Sequence, residues 1–246
     1  MSTAASSAAN RVKLISRTQI AEGTMAFRFE KPSGWTFKAG QSMDMTLLEP
    51  SETDAEGNTR AFSIASAPHD ESLMVATRMR DTAFKRVLGT MPLGTAVKIE
   101  GPFGNLILHN NAARTAVFLA GGIGITPFRS MVLRAAKEKL PHPMFLFFSN
   151  RRPEDAPFLE ELQTAERDNP HYKFVPTMTE MAKTHRPWSG ETGLISKDML
   201  SKYLKNASSP IYYIAGPPGM VKGVHEMLTK AGVDDDDVRT EEFAGY

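Results

Sequence analysis

A change of hydrophobic period near residue 110 constrains this chain more than any other feature. From Val12 to about Leu108 apolar residues come in short alternating segments, MAFRFE, SMDMTLL, LMVATRM and AVKIEG, parted by Gly, Pro and Asp-rich breaks. Alternation with a period of two puts one face of each segment inward, which predicts an antiparallel sheet or small barrel. One helix is predicted inside this half, over Ala83–Met91, where Phe84, Val87 and Leu88 recur at helical spacing behind Asp81 or Thr82 as a cap. After Asn110 continuous apolar runs (TAVFLA, MFLFFS, YKFVPT, IYYIAG) alternate with amphipathic stretches such as PFRSMVLRAAKEKL and GMVKGVHEMLTKAG. Strands buried on both faces and separated by helices are the pattern of a parallel α/β sheet. The expected fold has two domains: an antiparallel β-barrel over 11–109, then an α/β parallel-sheet domain over 110–246. HNNAAR, residues 109–114, is the expected join, and residues 1–10 a disordered tail.

Composition excludes several functions. Lys plus Arg total 29 and Asp plus Glu 28, so no field for nucleic acid is expected. Cysteine is absent, which removes disulfides, thiolate nucleophiles and Cys-ligated clusters from this polypeptide. The six histidines show no i, i+4 pairing, and DDDD at 234–237 reads as a solvated loop, so no metal site is expected. No apolar run approaches the roughly 20 residues of a membrane span, and MSTAASSAAN lacks the apolar core of a signal peptide. A cytoplasmic protein without a membrane span is the expectation.

The stretch LAGGIGITPFRSMV, residues 119–132, joins an apolar strand to a helix through Gly121, Gly122 and Gly124. Such a turn aims backbone N–H groups and the positive helix end at one point, which suits a phosphate. A P-loop needs Gly-Lys followed by Ser or Thr, and here Ile125, Thr126 and Pro127 follow Gly124. The dinucleotide fingerprint G-x-G-x-x-G fails at its third glycine, which is Pro127, and no acid stands in FFSNRR at the end of the next strand. Pro127 fits the first helical position and Thr126 the N-cap. A connector that binds nothing remains the alternative.

In the β half, RAFSIASAP gathers a cation, an aromatic and a hydroxyl on one strand. Arg60 would hold a phosphate, Phe62 would lie against a flat ring system, and Ser63 would hydrogen-bond a ring nitrogen. The competing reading is an amphipathic strand with Phe62 and Ile64 turned inward.

RAFS, then GPFGN, then LAGGIGITP, then YYIAGPPGM occur in one order along the chain. Together they resemble the ferredoxin–NAD(P)H reductase family of flavoenzymes, across nearly the whole length from about Val12 and with no iron–sulfur domain. The resemblance implies FAD in the barrel and NADH or NADPH in the second domain. It implies Arg60 on the flavin pyrophosphate, Phe62 in place of the family's usual tyrosine against the isoalloxazine, and Ser63 facing flavin N5. TRMRDTAFKRVL resembles the family's strand-to-helix passage, with Thr82 as the capping hydroxyl and Arg78 and Met79 on the strand before it. Arg80 and Asp81 stand where relatives more often have glycine. On the nucleotide side the resemblance implies Gly121, Gly122, Gly124 and Thr126 around the pyrophosphate, with Gly216, Pro217 and Pro218 as the second wall. Ala215 replaces a cysteine that many relatives carry there.

EEFAGY resembles relatives whose last residues lie beside the flavin. Phe243 and Tyr246 would cover its face, and Glu242 would take part in proton delivery after hydride transfer; as structure alone, TEEF is a final edge strand. Ser63, Glu242 and Phe243 are thus the candidate catalytic residues. Arg151 would reach the adenosine ribose, and Glu180 would repel a 2′-phosphate, which leans the choice of donor toward NADH. The implied activity is hydride transfer from NAD(P)H to flavin, with electrons passed to a separate acceptor such as a ferredoxin or an oxygenase component. The rivals are a reductase that treats free flavin as substrate and a regulatory subunit without activity. A monomer is expected.

Overall fold

The computed structural model describes residues 9–243 of the 246. Six strands form the first sheet: β1 (Asn10–Ala21), β2 (Thr24–Glu30), β3 (Ser42–Leu47), β4 (Thr59–Ser63), β5 (Ser72–Arg78) and β6 (Ala96–Phe103). All pairings are antiparallel, in the order β4-β3-β6-β1-β2-β5. The two outer strands approach each other just beyond β4, where Ala65 N–H donates to Met74 O at 2.8 Å, so the sheet curls toward a barrel. β3 shows the alternation that the sequence carries: Met43, Met45 and Leu47 are buried and the residues between them are not. They join Phe27, Phe29, Val75 and Ile99 in the barrel core, closed at one end by Phe84, Val87 and Leu88 of α1 (Ala83–Thr90). Each such side chain contributes about 1.5–3 kcal/mol by leaving water.

The second sheet is parallel throughout: β7 (Ala116–Gly121), β8 (Met144–Asn150), β9 (Tyr172–Met178), β10 (Glu191–Thr192), β11 (Ile211–Gly216) and β12 (Val238–Glu242). Its order is β10-β9-β8-β7-β11-β12. Every residue of β7 and of β11 is buried, because helices cover both faces. These are α2 (Thr126–Glu138), α3 (Leu159–Asp168), α4 (Lys197–Tyr203) and α5 (Pro218–Lys230). The chain runs outward from β7 through β8 and β9, then returns to place β11 on the other side of β7. That reversal opens a crevice at the carboxyl ends of β7 and β11, where ligands bind in open α/β sheets.

The two halves share one core. Ala39, Ala65 and Met74 of the first half cluster with Ile125, Phe128 and Met131 of the second. Buried Arg129 donates to Ala65 O at 2.5 Å and makes two 2.6 Å bonds to Glu161, while Ser130 donates to Ser66 O at 2.6 Å. The expected join is pinned as well: His109 is 8% exposed and bonds Tyr213 Oη through its main-chain N–H and through Nδ1. Asn10 begins β1, so the tail expected over 1–10 ends before it; residues 1–8 lie outside the described part. No described helix is long and apolar enough to cross a membrane. Among the described residues no three His, Asp or Glu side chains gather as metal ligands would.

Candidate functional site

A cleft of about 490 Å³ lies where the two halves meet, lined from the barrel by Arg60, Phe62, Ser63, Thr77, Thr82 and Lys85. Thr126, Glu241 and Phe243 close it from the other domain. Its size falls in the range of small-molecule sites. Phe62 is half-buried with its ring 5.9 Å from that of Phe84, while Ile64 is fully buried in the barrel core. Both readings of RAFSIASAP therefore hold in part: Ile64 packs inward, and Phe62 reaches the cleft wall.

Ser63 is 4% exposed and its Oγ lies 3.2 Å from Glu241 Oε1. Burial pushes the Glu241 carboxyl above the usual carboxylate range, opposed by the bond from Ser63. The acid that Ser63 bonds is Glu241, the neighbour of Glu242, which was expected to take part in proton delivery. Along β12 Arg239 and Glu241 are partly buried and Glu242 is exposed, and Glu241 and Glu242 both line the cleft. Phe243 is tied in place by its N–H to Gly216 O at 3.0 Å. Glu241 and Ser42 also line a second cleft, formed with Gly104, Asn105, Leu106 and Arg239, so the carboxyl lies between two cavities. Tyr246 lies outside the described residues.

At the other end of the cleft stands the N-terminus of α1. Thr82 caps it by accepting from Lys85 N–H at 3.3 Å. The next donor, Ala83 N–H, is taken by Asp54 Oδ2 at 3.1 Å, from the loop between β3 and β4. Arg60 is held by the same loop: Glu56 Oε2 lies 2.8 Å and Asp54 Oδ1 3.3 Å from its Nη2, and its Nη1 donates to the carbonyls of Glu56, Gly57 and Thr59. Burial opposes ionisation of Asp54, yet the bonds from Ala83, Glu56 and Arg60 hold its carboxyl below the ordinary range. Lys85, half-buried on the cleft wall, makes no ion pair among the described residues; burial and then Arg80 and Arg60 lower its ammonium pKa. Arg78 and Met79, on the strand leading to that cap, make contacts of their own. Arg78 turns to Asp155 of the other domain at 3.7 Å, and Met79 packs against the barrel core beside Gly89.

The glycine turn is packed more tightly than a phosphate loop requires. A Cβ on Gly124 would stand 2.2 Å from Ala215 O, and one on Gly121 2.2 Å from Met220 Sδ. Both glycines thus let β7 and the turn approach β11 and α5. The close strand–helix packing that the lost third glycine seemed to forgo is supplied by Gly124. Gly122, at φ +53° with nothing within 4 Å of a Cβ, faces open space. Thr126 is corrected from N-cap to first residue of α2: a 3₁₀ turn, Gly122–Ile125, runs straight into the helix, and the Thr126 hydroxyl donates to Ile123 O at 3.1 Å. Across the crevice, Gly216 lies against Gly121, and Pro217 and Pro218 start α5.

Arg151 and Glu180 sit together past the ends of β8 and β9, where Glu180 N–H donates to Arg151 O at 2.8 Å. The bond from Lys183, with Arg151 nearby, lowers the Glu180 carboxyl pKa. The sequence reading missed Asp155, 3% exposed and surrounded by Arg78, Arg151 and Arg152. Arg152 bonds Asp155 and, at 2.6 Å, Glu22 of β1's outgoing turn, so this cluster fastens one domain to the other.

Residues 118–226 match the oxidoreductase NAD-binding domain family. A component of the Na(+)-translocating NADH-quinone reductase of Methylococcus capsulatus is 29% identical over 202 residues, which cover 76% of this chain and 49% of that protein. The chain thus spans about half the length of the curated relatives it matches. Among solved structures, the cytochrome P450 reductase of Amycolatopsis superposes with a TM-score of 0.80 at 17% identity, covering 96% of this chain and 71% of that one. A ferredoxin NADP+ reductase from Neisseria gonorrhoeae, solved with FAD and NADP, gives 0.77 at 22% identity over 95% of this chain and 98% of its own. With a curling antiparallel sheet followed by a parallel one, the chain shares the two-domain fold of these reductases, and residues 118–226 match an oxidoreductase NAD-binding domain.

Proposed function

We propose that this chain oxidises NADH by hydride transfer to FAD held in the interdomain cleft and passes the electrons to a separate acceptor protein, such as a ferredoxin or an oxygenase component. The observation that carries this reading is the bond from buried Ser63 to the half-buried Glu241 beside Phe62, where the two domains meet. The cleft fits a flavin ring: an aromatic wall at Phe62, a buried hydroxyl at Ser63, and small residues Ala61 and Ala76 between them. When bound, FAD accepts a hydride and releases electrons singly.

The protein's part is orientation and proton handling. Phe62 offers its ring to one side of the flavin, and Phe243 covers the other until nicotinamide enters. The glycine turn and AGPPG wall hold the dinucleotide backbone at the positive ends of α2 and α5. Oxidation of one NADH by two one-electron acceptors leaves one proton. Ser63 Oγ passes it to Glu241, whose carboxyl burial pushes above the ordinary range, which favours its holding a proton. Glu180 excludes a 2′-phosphate and favours NADH. Relatives named as part of an NADH-quinone reductase agree with that donor. A cytoplasmic, monomeric protein completes the reading.

A second reading, reduction of free flavin as a substrate, is favoured by Asp54 and Glu56, which occupy donors that FAD phosphates would use. The test is anaerobic mixing of FAD-reconstituted protein with NADH or NADPH, followed by flavin absorbance. Bleaching about tenfold faster with NADH is expected. Preference for NADPH overturns the role of Glu180, and failure to bind any flavin overturns the whole reading.

A further inference from the structure

We propose that Asp54 and Glu56 are built-in competitors for the phosphate groups of flavin, so that this chain holds flavin as an exchangeable ligand. The inference rests on the flavin reading of the cleft and adds what limits affinity there. The loop between β3 and β4, LEPSETDAEGN over residues 48–58, carries four acids and no Lys or Arg. Three of the four reach the cation-rich end of the cleft. Asp54 takes Ala83 N–H and approaches Arg60, Glu56 takes Arg60 at 2.8 Å, and Glu52 binds Arg86 through two bonds of 2.9 and 2.6 Å.

A phosphate oxygen needs the donors that these carboxylates hold: a first-turn N–H and a guanidinium. The single Ala83 N–H serves one anion, and a phosphate on Arg60 would lie beside Glu56, so a phosphorylated flavin binds by displacing the loop or by tolerating like charge beside it. Displacement is available because none of residues 48–58 is buried; the loop meets α1 through polar contacts at its surface. Lys85 is the cleft cation that the loop leaves without an ion pair, ready for the incoming phosphate. Neither Phe62 nor Ser63 bonds these acids, so a flavin without phosphate meets less of the competition.

Titration of the apoprotein with riboflavin, FMN and FAD, read by flavin fluorescence, tests this in the wild type, Asp54→Asn, Glu56→Gln and the double variant. Asp54→Asn keeps an amide oxygen that accepts from Ala83 N–H, so the cap survives, and thermal melts check that each variant folds. We expect FMN and FAD to bind about tenfold tighter to the double variant, about threefold tighter to Glu56→Gln, and riboflavin to change less than twofold. The gain for FAD should shrink in high salt. Unchanged or weaker FAD binding beside normal riboflavin binding overturns the competitor role alone. Absence of riboflavin and FAD binding in every protein overturns the flavin reading, and this inference with it.

Discussion

The molecule places two helix N-termini at its cleft and crevice, and they are built from opposite materials. At α1 the positive end is reinforced by Arg60, Lys85 and Arg86, and the chain's own acids come to meet them. At α2 the first turn carries no charged acid and the approach is made of glycine backbone packed against β11. Charge is portable: once a surface gathers cations, any nearby acidic loop competes for them. Backbone donors fixed by packing attract no such counter-charge, because nothing but a strand and a helix reaches them. The barrel side therefore sets its own acids against its cations, while the turn before α2 is fixed by close packing.

The largest expected effect lies between the two cradles, at Glu241. Glu241→Gln should slow turnover with a one-electron acceptor by about 100-fold, within the usual span for general acid–base groups. Glu242→Gln should change it less than about threefold, since its side chain is exposed and the bond to Ser63 comes from Glu241. Wild-type turnover should rise with pH through the raised carboxyl value of Glu241, as the proton-accepting form appears, and the Gln variant should lose that limb. Stability moves the other way. A carboxyl raised in the fold contributes stability that is complete below its unfolded pKa and is lost as pH rises through the folded value. Steady-state rates across pH and urea midpoints at the same pH values separate the two. Equal losses in both variants would sink the assignment to Glu241.

A smaller effect tests whether the nucleotide cradle is held by packing. Gly124→Ala drives a methyl to 2.2 Å from Ala215 O, backbone that cannot yield, and should cost about 3 kcal/mol by the upper range for overpacking. Gly122→Ala meets nothing within 4 Å but sits at φ +53°, where a side chain costs roughly 1–2 kcal/mol. Denaturant titration measures both. A reversed order would mean that the turn is a loose ligand loop, and the contrast with α1 would fail.

The architecture was legible because period encodes burial: β3 alternates, whereas β7 and β11 are buried at every position, and each followed from its own letters. The site was legible only to the level of segments. RAFS and LAGGIGITP do reach the cleft and the crevice, but Glu241 was displaced by one residue to Glu242. Strand register supplied the missing signal: if Phe243 faces the cleft, its partner lies at 241. Asp54 and Glu56 left no trace of their role, since their partners Ala83 and Arg60 are set by the closing of the barrel, a non-local event. Asp155 drew no reading from the sequence, because part of what surrounds it, Arg78, comes from the other domain.

The smallest effect belongs to Thr82. Its Oγ1 accepts Lys85 N–H at 3.3 Å, and Thr82→Ala removes that acceptor, leaving a first-turn donor to water. The expected cost is about 1 kcal/mol in urea denaturation, restored by Thr82→Ser, which keeps the hydroxyl. FAD affinity should weaken with the loss of the cap, because the helix end that faces the phosphates frays. NADH affinity should stay within twofold, because its cradle at α2 shares no donor with α1. A change in NADH binding as large as the change in FAD binding would show that the two helix ends are coupled, and that the charged and the packed cradle act as one.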